Sequence, residues 1–342
     1  MNFDVQDIGE WLKTIEWYDN HTLQNWLDCR RKAYWNKLHP SLTETGEAAY
    51  GLEGGIGNGG RFGSAIHSGL AAYYTRYGQN DALRRDSAFR AFDKEYTKRI
   101  GDRAMEESLA STILGNDNEG RKKYALDSKH RRDRGLLILD EYFDKFQRED
   151  VLFKPVDAEL GFIVRYDDPT DLGRKPFWYI ARIDGLFERV DTGDWFVLET
   201  KTTGGGAGRE CKRLTFNRQP VGYVVGLRQF PDGKRIVGFL ANAILVAAQK
   251  IDFQRQFFPV TRLAEEEWKK ETFNIVQEIR EAKESGLLER FYKNTGHCTA
   301  YGQCAFWDLC DAGLAVVLQT PSTTDKFLKN TWHPFRTSEE DQ

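Results

Sequence analysis

The sequence predicts an α/β protein in which a central mixed β-sheet is flanked by helices, and three observations point to it. Segments near Ala158 to Tyr166, Tyr179 to Val190, Trp195 to Thr202 and Ile236 to Val246 are rich in aromatic and β-branched residues and read as strands. Helical patterns lie on either side of them, from about Ala104 to Arg148 and from Leu263 to Arg290. Between the second and third strands stands a glycine-containing turn, Asp191-Thr192-Gly193-Asp194, of the kind that closes a hairpin.

The 342 residues can bury a substantial core, and they read as one elaborated domain over 1–342. Residues 1–60 form an amino-terminal helical arm that carries Cys29 and ends in the glycine-rich passage Gly51 to Arg61. That passage lacks the Gly-Lys-Ser/Thr ending of a phosphate-gripping loop, so it reads as a flexible entry to the helix bearing His67, and no ATPase motor is implied. Residues 61–260 hold the sheet and the chemistry, 261–318 the carboxy-terminal helices and a cysteine cluster, and 319–342 a polar tail.

The hairpin is the chemical centre. A two-residue loop at Thr192-Gly193 sets Asp191 against Asp194 and Asp184 against Lys201, beside Glu199. Side chains alternate between faces, so Asp184, Glu199 and Lys201 share one face of a half-buried sheet. Two carboxylates and an ammonium there are costly to desolvate unless they pair or bind an ion. Carboxylate oxygens suit magnesium or manganese, and a bound ion can activate water for attack on a phosphoryl group while Lys201 orients it. The hairpin alone leaves open a surface hairpin whose Glu and Lys are merely solvated. Glu159, on the preceding strand, is a further acidic candidate or a solvent-facing residue.

Gln219 and Tyr223, four apart, project from one helix face, and Pro220 is tolerated if Gln219 lies at the helix start. In isolation this is equally an amphipathic helix with a core tyrosine, just as His67 alone is equally a satisfied, partly buried histidine.

Five cysteines are present, three of them in Cys298-x5-Cys304-x5-Cys310, with Cys29 and Cys211 elsewhere. With no secretory leader or transmembrane run, the chain reads as cytoplasmic, or as acting in the host cytoplasm if viral, where cysteines more often serve metals than structural disulfides. Three clustered sulfurs want a fourth ligand. Cys211 reads as a structural or surface thiol.

A net charge of −3 argues against a protein that coats nucleic acid generally, so phosphate contacts must come from local patches. Arg30 to Lys32, Arg121 to Lys123 and Lys129 to Arg134 are such runs, the second more simply a solvated helix face. Arg209, Lys212, Arg213 and Arg218, between the catalytic strand and the Gln219 helix, are best placed for DNA.

In order, Gly63-Ser-Ala-Ile-His67, Arg182-Ile-Asp184-Gly, Leu198-Glu199-Thr200-Lys201-Thr202 and Gln219-Pro-Val-Gly-Tyr223 resemble the motifs of the PD-(D/E)XK nuclease superfamily. Within it they resemble the RecB-like branch that includes the AddB nuclease domain and the CRISPR-associated adaptation nucleases. The resemblance implies a restriction-endonuclease-like core with helical arms joined by a metal-cluster site. It implies His67, Asp184, Glu199 and the Thr200 carbonyl as ligands of Mg2+ or Mn2+, Lys201 as catalytic, and Gln219 and Tyr223 as DNA contacts. A histidine ligand brings manganese into play beside magnesium.

It further implies that Cys29, Cys298, Cys304 and Cys310 ligate one 4Fe-4S cluster that staples the chain ends. Five residues separate each neighbouring pair in the triplet, where the family's first gap usually has two. A four-thiolate zinc site is the rival, as are ordinary reduced cysteines, although zinc ribbons use close Cys-x-x-Cys pairs. The implied activity is a metal-dependent deoxyribonuclease, an exonuclease acting on linear DNA with free ends in recombination, repair or replication, with proteins of those processes as partners and no membrane. Compact motor-free forms occur in phages. The alternatives are a CRISPR-adaptation nuclease that trims DNA for an integrase partner, and a non-catalytic DNA-binding module.

Overall fold

The computed structural model describes residues 11–38, 58–98, 130–168, 171–247, 250–300 and 304–311, apart from positions 13, 172 and 305. In chain order the elements are β1 (Trp17–Tyr18), α1 (Asn20–Asp28), α2 (Arg30–Ala33), α3 (Asn58–Thr75), α4 (Asp81–Tyr96), α5 (Arg132–Phe146), β2 (Phe153–Ala158) and β3 (Gly161–Tyr166). Then come β4 (Phe177–Arg182), β5 (Gly185–Arg189), β6 (Trp195–Thr203), α6 (Ala207–Leu214), α7 (Arg218–Leu227), β7 (Ile236–Val246), β8 (Ile251–Pro259), α8 (Arg262–Ser285) and α9 (Trp307–Asp311). Of the expected features, the glycine-rich stretch 51–57, the basic run at 121–123, residues 104–129 of the long helical stretch and the tail at 319–342 lie outside the described residues. Among the described residues no helix is long and apolar enough to cross a membrane.

The described residues fall into two compact units, one within Gly57–Leu160 and Ile183–Thr261, the other within Met1–Ile56, Gly161–Arg182 and Arg262–Gln342. Each has its own mixed sheet. The first is five-stranded in the order β2-β5-β6-β7-β8, the second three-stranded in the order β1-β4-β3.

In the five-stranded unit, β6 and β7 run parallel, joined by a crossover that contains α6 and α7, as parallel neighbours require. The strand β7 is an almost unbroken apolar run because both its faces are covered. Against one face pack α3, α4 and α5, whose Phe62, Ile66, Phe92, Ile138 and Phe143 form a core with Phe187, Phe196, Leu198, Leu240 and Ile244 of the sheet. Behind that core a buried guanidinium, Arg255, is held by Asp150 at 2.7 Å and by the hydroxyls of Tyr74 and Tyr142 at 2.5 and 2.7 Å. Asn242 continues the chain, donating to Tyr142 Oη at 2.8 Å and Thr200 Oγ1 at 3.1 Å.

Two segments expected as continuous strands are each divided. Residues 158–166 break at Glu159, which has a left-handed φ of 55°, and 179–190 break at Ile183-Asp184. On one side of each break the chain pairs in the five-stranded sheet (β2 with β5) and on the other in the three-stranded sheet (β3 with β4). The hairpin register also differs from the two-residue-loop expectation. The Arg189 N–H donates to Asp194 O at 2.8 Å, Gly193 takes φ 71°, and the loop is Val190 to Gly193. Gly185 therefore pairs with Leu198, which moves Asp184 from the Lys201 position towards Glu199. The slip is two residues, so it preserves which face each side chain occupies.

In the three-stranded unit, Asp19 caps α1 by accepting from Thr22 N at 2.7 Å. Phe177, Tyr166 and Tyr179 pack against Phe273 and Trp268 of α8. Arg280 of the same helix is buried, donating to both Glu16 oxygens and to the carbonyls of Lys175 and Pro176 at 2.7–3.0 Å. Burial opposes ionisation of Glu16, but Arg280, the Tyr18 hydroxyl and Lys175 hold its pKa below the ordinary glutamate value. A depressed carboxyl contributes stability that is complete above its unfolded pKa, about 4.3, and is lost as pH falls through the lower folded value. Glu16→Gln is expected to flatten the acid limb of unfolding free energy followed by urea titration from about pH 5 to pH 2. An unchanged acid limb would remove this pair from the linkage.

Candidate metal and nuclease site

Strand β6 carries the centre of the site because its side chains divide between the two faces of the sheet. Leu198 enters the apolar core, and Thr200 turns its hydroxyl to Asn242 on that same side. Glu199 and Lys201 occupy the other face, where Lys201 Nζ lies 2.6 Å from Glu199 Oε1 and donates to Gln219 Oε1 at 3.2 Å. Gln219 Nε2 in turn donates to Tyr223 Oη at 2.6 Å, one helical turn along α7. Asn217 caps that helix by accepting from Gln219 N at 2.9 Å, which puts Pro220 in the first turn, where its missing N–H does no harm.

Asp184 stands just before β5, and its Oδ2 accepts the Thr200 N–H at 2.7 Å. His67 Nδ1 lies 3.2 Å from Asp184 Oδ1. The site thus gathers His67 from α3, Asp184 from the β4–β5 connection, Glu199, Thr200 and Lys201 from β6, and Gln219 and Tyr223 from α7, all within one unit. Glu159 also belongs here: its N–H donates to Asp184 O at 3.3 Å, and its charge acts on His67.

The electrostatics follow from burial and contact. Burial works against protonated His67, and the Asp184 carboxylate outweighs it, so the imidazole pKa is raised. Burial likewise opposes ionised Asp184, but His67, Lys201 and the Thr200 N–H together lower its pKa. For Glu199 burial wins and the pKa is raised despite Lys201. Lys201 loses solvation but is kept protonated by Glu199 and Asp184.

Among the described residues no three His, Cys, Asp or Glu side chains converge as a complete metal-ligand group. The donors nevertheless fit a hard divalent ion. Glu199 is 1% exposed, and its Oε1 lies 2.6 Å from the Lys201 ammonium. One imidazole and two carboxylates match the preferences of Mn2+, and the carboxylates those of Mg2+.

The basic residues expected at DNA follow on α6 and at the start of α7. Arg209, Lys212 and Arg213 are exposed, Arg213 pairing with Glu210 at 2.6 Å, and Arg218 is half-buried. In the three-stranded unit Cys298 lies near enough to Cys29 and Cys304, and Cys310 to Cys304, for their charges to act on one another. The Asn294 N–H donates to Cys29 Sγ at 3.4 Å, Asn294 Nδ2 donates to Asp28 O at 2.9 Å, and Cys304 N donates to Cys298 O at 2.8 Å. Lys293 donates to Cys310 O. Burial and the neighbouring sulfurs of Cys304 and Cys29 raise the Cys298 pKa, and burial raises that of Cys310 against Lys293 and Arg31. All four are free thiols. Cys211 is a buried thiol that donates to the Gln254 carbonyl at 3.3 Å, and burial raises its pKa to about 11.

One contributor escaped sequence reasoning, and a residue of the His67 motif has a packing role that the motif does not show. Asn242 sits inside the apolar run of β7 and gives no signal until its partners, 42 and 100 residues away in sequence, are known. Gly63 marks where α3 meets β6: a Cβ there would lie 2.7 Å from Thr202 Oγ1. Gly63→Ala is expected to destabilise by about 1–3 kcal/mol from overpacking, less about 1 kcal/mol of helix propensity. In a Thr202→Ala background the same change should become neutral or stabilising by denaturant titration. The same loss in both backgrounds would disprove the contact.

A family model described as the PD-(D/E)XK nuclease superfamily matches residues 21–311. No curated protein matches the chain. A solved structure described as "Crystal structure of SSO0001" aligns at 14% identity with a TM-score of 0.29, covering 73% of this chain and 86% of its own. With most of its length matched by that family, the chain belongs to the PD-(D/E)XK nuclease superfamily.

Proposed function

We propose that this nuclease is a deoxyribonuclease acting as an exonuclease on linear DNA, with His67, Asp184, Glu199 and the Thr200 carbonyl holding one Mg2+ or Mn2+. The observation that carries this reading is the Lys201 contact with both Glu199 Oε1 and Gln219 Oε1, at 2.6 and 3.2 Å, beside Asp184. A bound divalent ion supplies Lewis acidity at the phosphate and lowers the pKa of attacking water. Lys201 positions that water and balances charge as the phosphoryl group gains it. Asp184 keeps the imidazole of His67 oriented, while the Thr200 N–H holds Asp184 in turn. Gln219 fixes the Lys201 ammonium and, with Tyr223, meets the strand beside the scissile phosphate. Arg209, Lys212, Arg213 and Arg218 supply backbone contacts to the incoming DNA.

In the other unit Cys29, Cys298, Cys304 and Cys310 bind a 4Fe-4S cluster of structural role, in preference to zinc. The proximity of the four thiols, drawn from both ends of the described chain, supports this, and thiolate ligation would make cluster loading part of folding. The process served is DNA recombination, repair or replication.

Cleavage of end-labelled linear single- and double-stranded DNA, with a closed circle alongside, is the test. Metal-dependent mononucleotide release from linear DNA, with the circle intact, is expected. Lys201→Ala should slow it by about 10²- to 10⁴-fold with the fold unchanged by circular dichroism. Near-normal turnover in that variant would remove Lys201 from the mechanism, and nicking of the circle would replace the exonuclease reading. For the cluster, Cys29→Ala in anaerobically prepared protein should abolish iron content and lower the melting temperature. Iron at the wild-type level would defeat the assignment, and stoichiometric zinc in wild-type protein would install its rival.

A further inference from the structure

We propose that the outer face of α6 and the turn that follows it form a binding track for an unpaired DNA strand, with Phe216 stacking on a nucleobase. The proposal rests on the nuclease reading above and deepens it to a substrate form.

The helix α6 is two-sided. Ala207, Glu210, Cys211 and Leu214, at i, i+3, i+4 and i+7, are its buried face, and the Cys211 thiol reaches the Ala241 and Gln254 carbonyls of β7 and β8. Arg209, Lys212 and Arg213 occupy the exposed face, and Phe216 follows at the next step of the same spacing. Its ring is 92% exposed, the most of any large apolar side chain among the described residues. Single exposed apolar residues are ordinary, so exposure alone says little. Here the phenyl continues a row of three cations and is presented on a fixed turn. Thr215 N and Oγ1 both donate to Lys212 O, at 3.2 and 2.7 Å, while Phe216 N and Asn217 N donate to Arg213 O and Leu214 O at 3.1 Å each.

The turn also leads straight into the site. Asn217 caps α7 through Gln219 N, and Gln219 accepts from Lys201. Only Asn217 and Arg218 separate Phe216 from Gln219, so their Cα atoms are at most about 11 Å apart, a span of a few nucleotides. Glu210, on the inner side of α6, pairs with Arg213 at 2.6 Å, which steadies one of the three cations on the turn's approach.

Cations that track a backbone, interleaved with an aromatic ring, are the elements of single-strand binding, where stacking is worth about 1–3 kcal/mol per base and tolerates any sequence. Within a duplex each interior base face is covered by its neighbours, so along the strand the phenyl can stack only on an unpaired or frayed base. The track therefore selects single-stranded DNA, or an end already opened, over intact duplex.

The test uses the full chain carrying Lys201→Ala, so that DNA is bound without turnover. The probes are an oligothymidine with 2-aminopurine placed singly at successive positions, and a blunt duplex of equal length. Quenching of the fluorophore should be confined to one or two positions, and Phe216→Ala should relieve it and weaken single-strand affinity by about 5- to 150-fold. Phe216→Trp should restore both, with duplex affinity within about twofold throughout. Arg209→Ala with Lys212→Ala should weaken both forms and reduce the single-strand salt slope by up to about 1.4, since each lost phosphate contact takes about 0.7. Unchanged single-strand affinity in Phe216→Ala, or an equal loss for duplex, would overturn the stacking role. Metal-dependent cleavage by the wild-type chain alongside such a result would leave the nuclease reading standing. Failure of the wild-type chain both to cleave and to bind would sink both.

Discussion

Everything in the five-stranded unit is arranged around one constraint, the burial of a carboxylate and an ammonium on adjacent same-face positions of a central strand. Glu199 is almost fully enclosed, and burial pushes its pKa up even with Lys201 at 2.6 Å. An enclosed carboxylate of this kind is tolerated only with a positive partner, because desolvation costs several kcal/mol per ion. Lys201 is that partner, and it is steadied by a hydrogen bond to Gln219 and by the charge of Asp184. The same enclosed carboxylate, with the charge of Asp184 acting on it, offers the oxygen donors that a hard cation prefers. Stability and chemistry therefore pull on the same atoms, since the geometry that makes burial bearable is also the one that concentrates charge for phosphodiester hydrolysis.

Such a site needs its elements held to a fraction of an ångström, and the opposite face of the sheet provides that. Thr200 lies between Glu199 and Lys201, and its hydroxyl is bonded to Asn242, which is bonded to Tyr142, which shares Arg255 with Tyr74. Tyr74 is on α3, seven residues beyond His67 and on the same helix face. One buried polar chain thus ties the helix that brings the histidine to the strand that brings the acid and the lysine. Its guanidinium is balanced by Asp150 and two phenols rather than by solvent. The close approach of Gly63 to Thr202 is a second tie between the same two elements. A helix fixed at two points along a strand has little freedom to pivot, and that rigidity is what lets imidazole and carboxylates present themselves together.

The legible part of this design was the part written in local alternation. Asp184, Glu199 and Lys201 are brought together despite a hairpin loop two residues longer than expected, because a slip of two keeps the facing parity and only changes which residue stands opposite which. Gln219 and Tyr223 are neighbours because helical spacing is equally local. The division into two sheets was hidden. Aromatic and β-branched residues run on through both breaks, and only Glu159-Leu160-Gly161 and Asp184-Gly185 carry any turn character. Asn242 was hidden for the opposite reason, since a polar residue inside an apolar strand shows its purpose only through distant partners. Phe216 was visible as a spacing, at i+3 and i+4 from Arg213 and Lys212, but its exposure is a fact of tertiary structure.

The three-stranded unit poses a different physical problem. Its pieces come from three separated stretches of sequence, and its central ion pair joins residues 264 apart, Glu16 and Arg280. Closing a loop of that size costs about 5 kcal/mol beyond a constant by the chain-entropy estimate, before any contact repays it. Among the described residues all three stretches contribute to its buried apolar interior, with Tyr18 and Trp26 from the first, Phe177 and Tyr179 from the second, and Trp268, Phe273 and Ile279 from the third. Arg280 offsets part of the closure by serving two carboxylate oxygens and two carbonyls at once, and the Asn294 bonds to Asp28 and Cys29 close the ends again a few residues from the thiols. A cluster bound by the four proposed cysteines would act on the same entropy, since one thiolate comes from the amino-terminal stretch and three from the carboxy-terminal one. The length of that loop is thus the physical reason why the proposed cluster would stabilise this unit, by tying together stretches that the chain entropy drives apart.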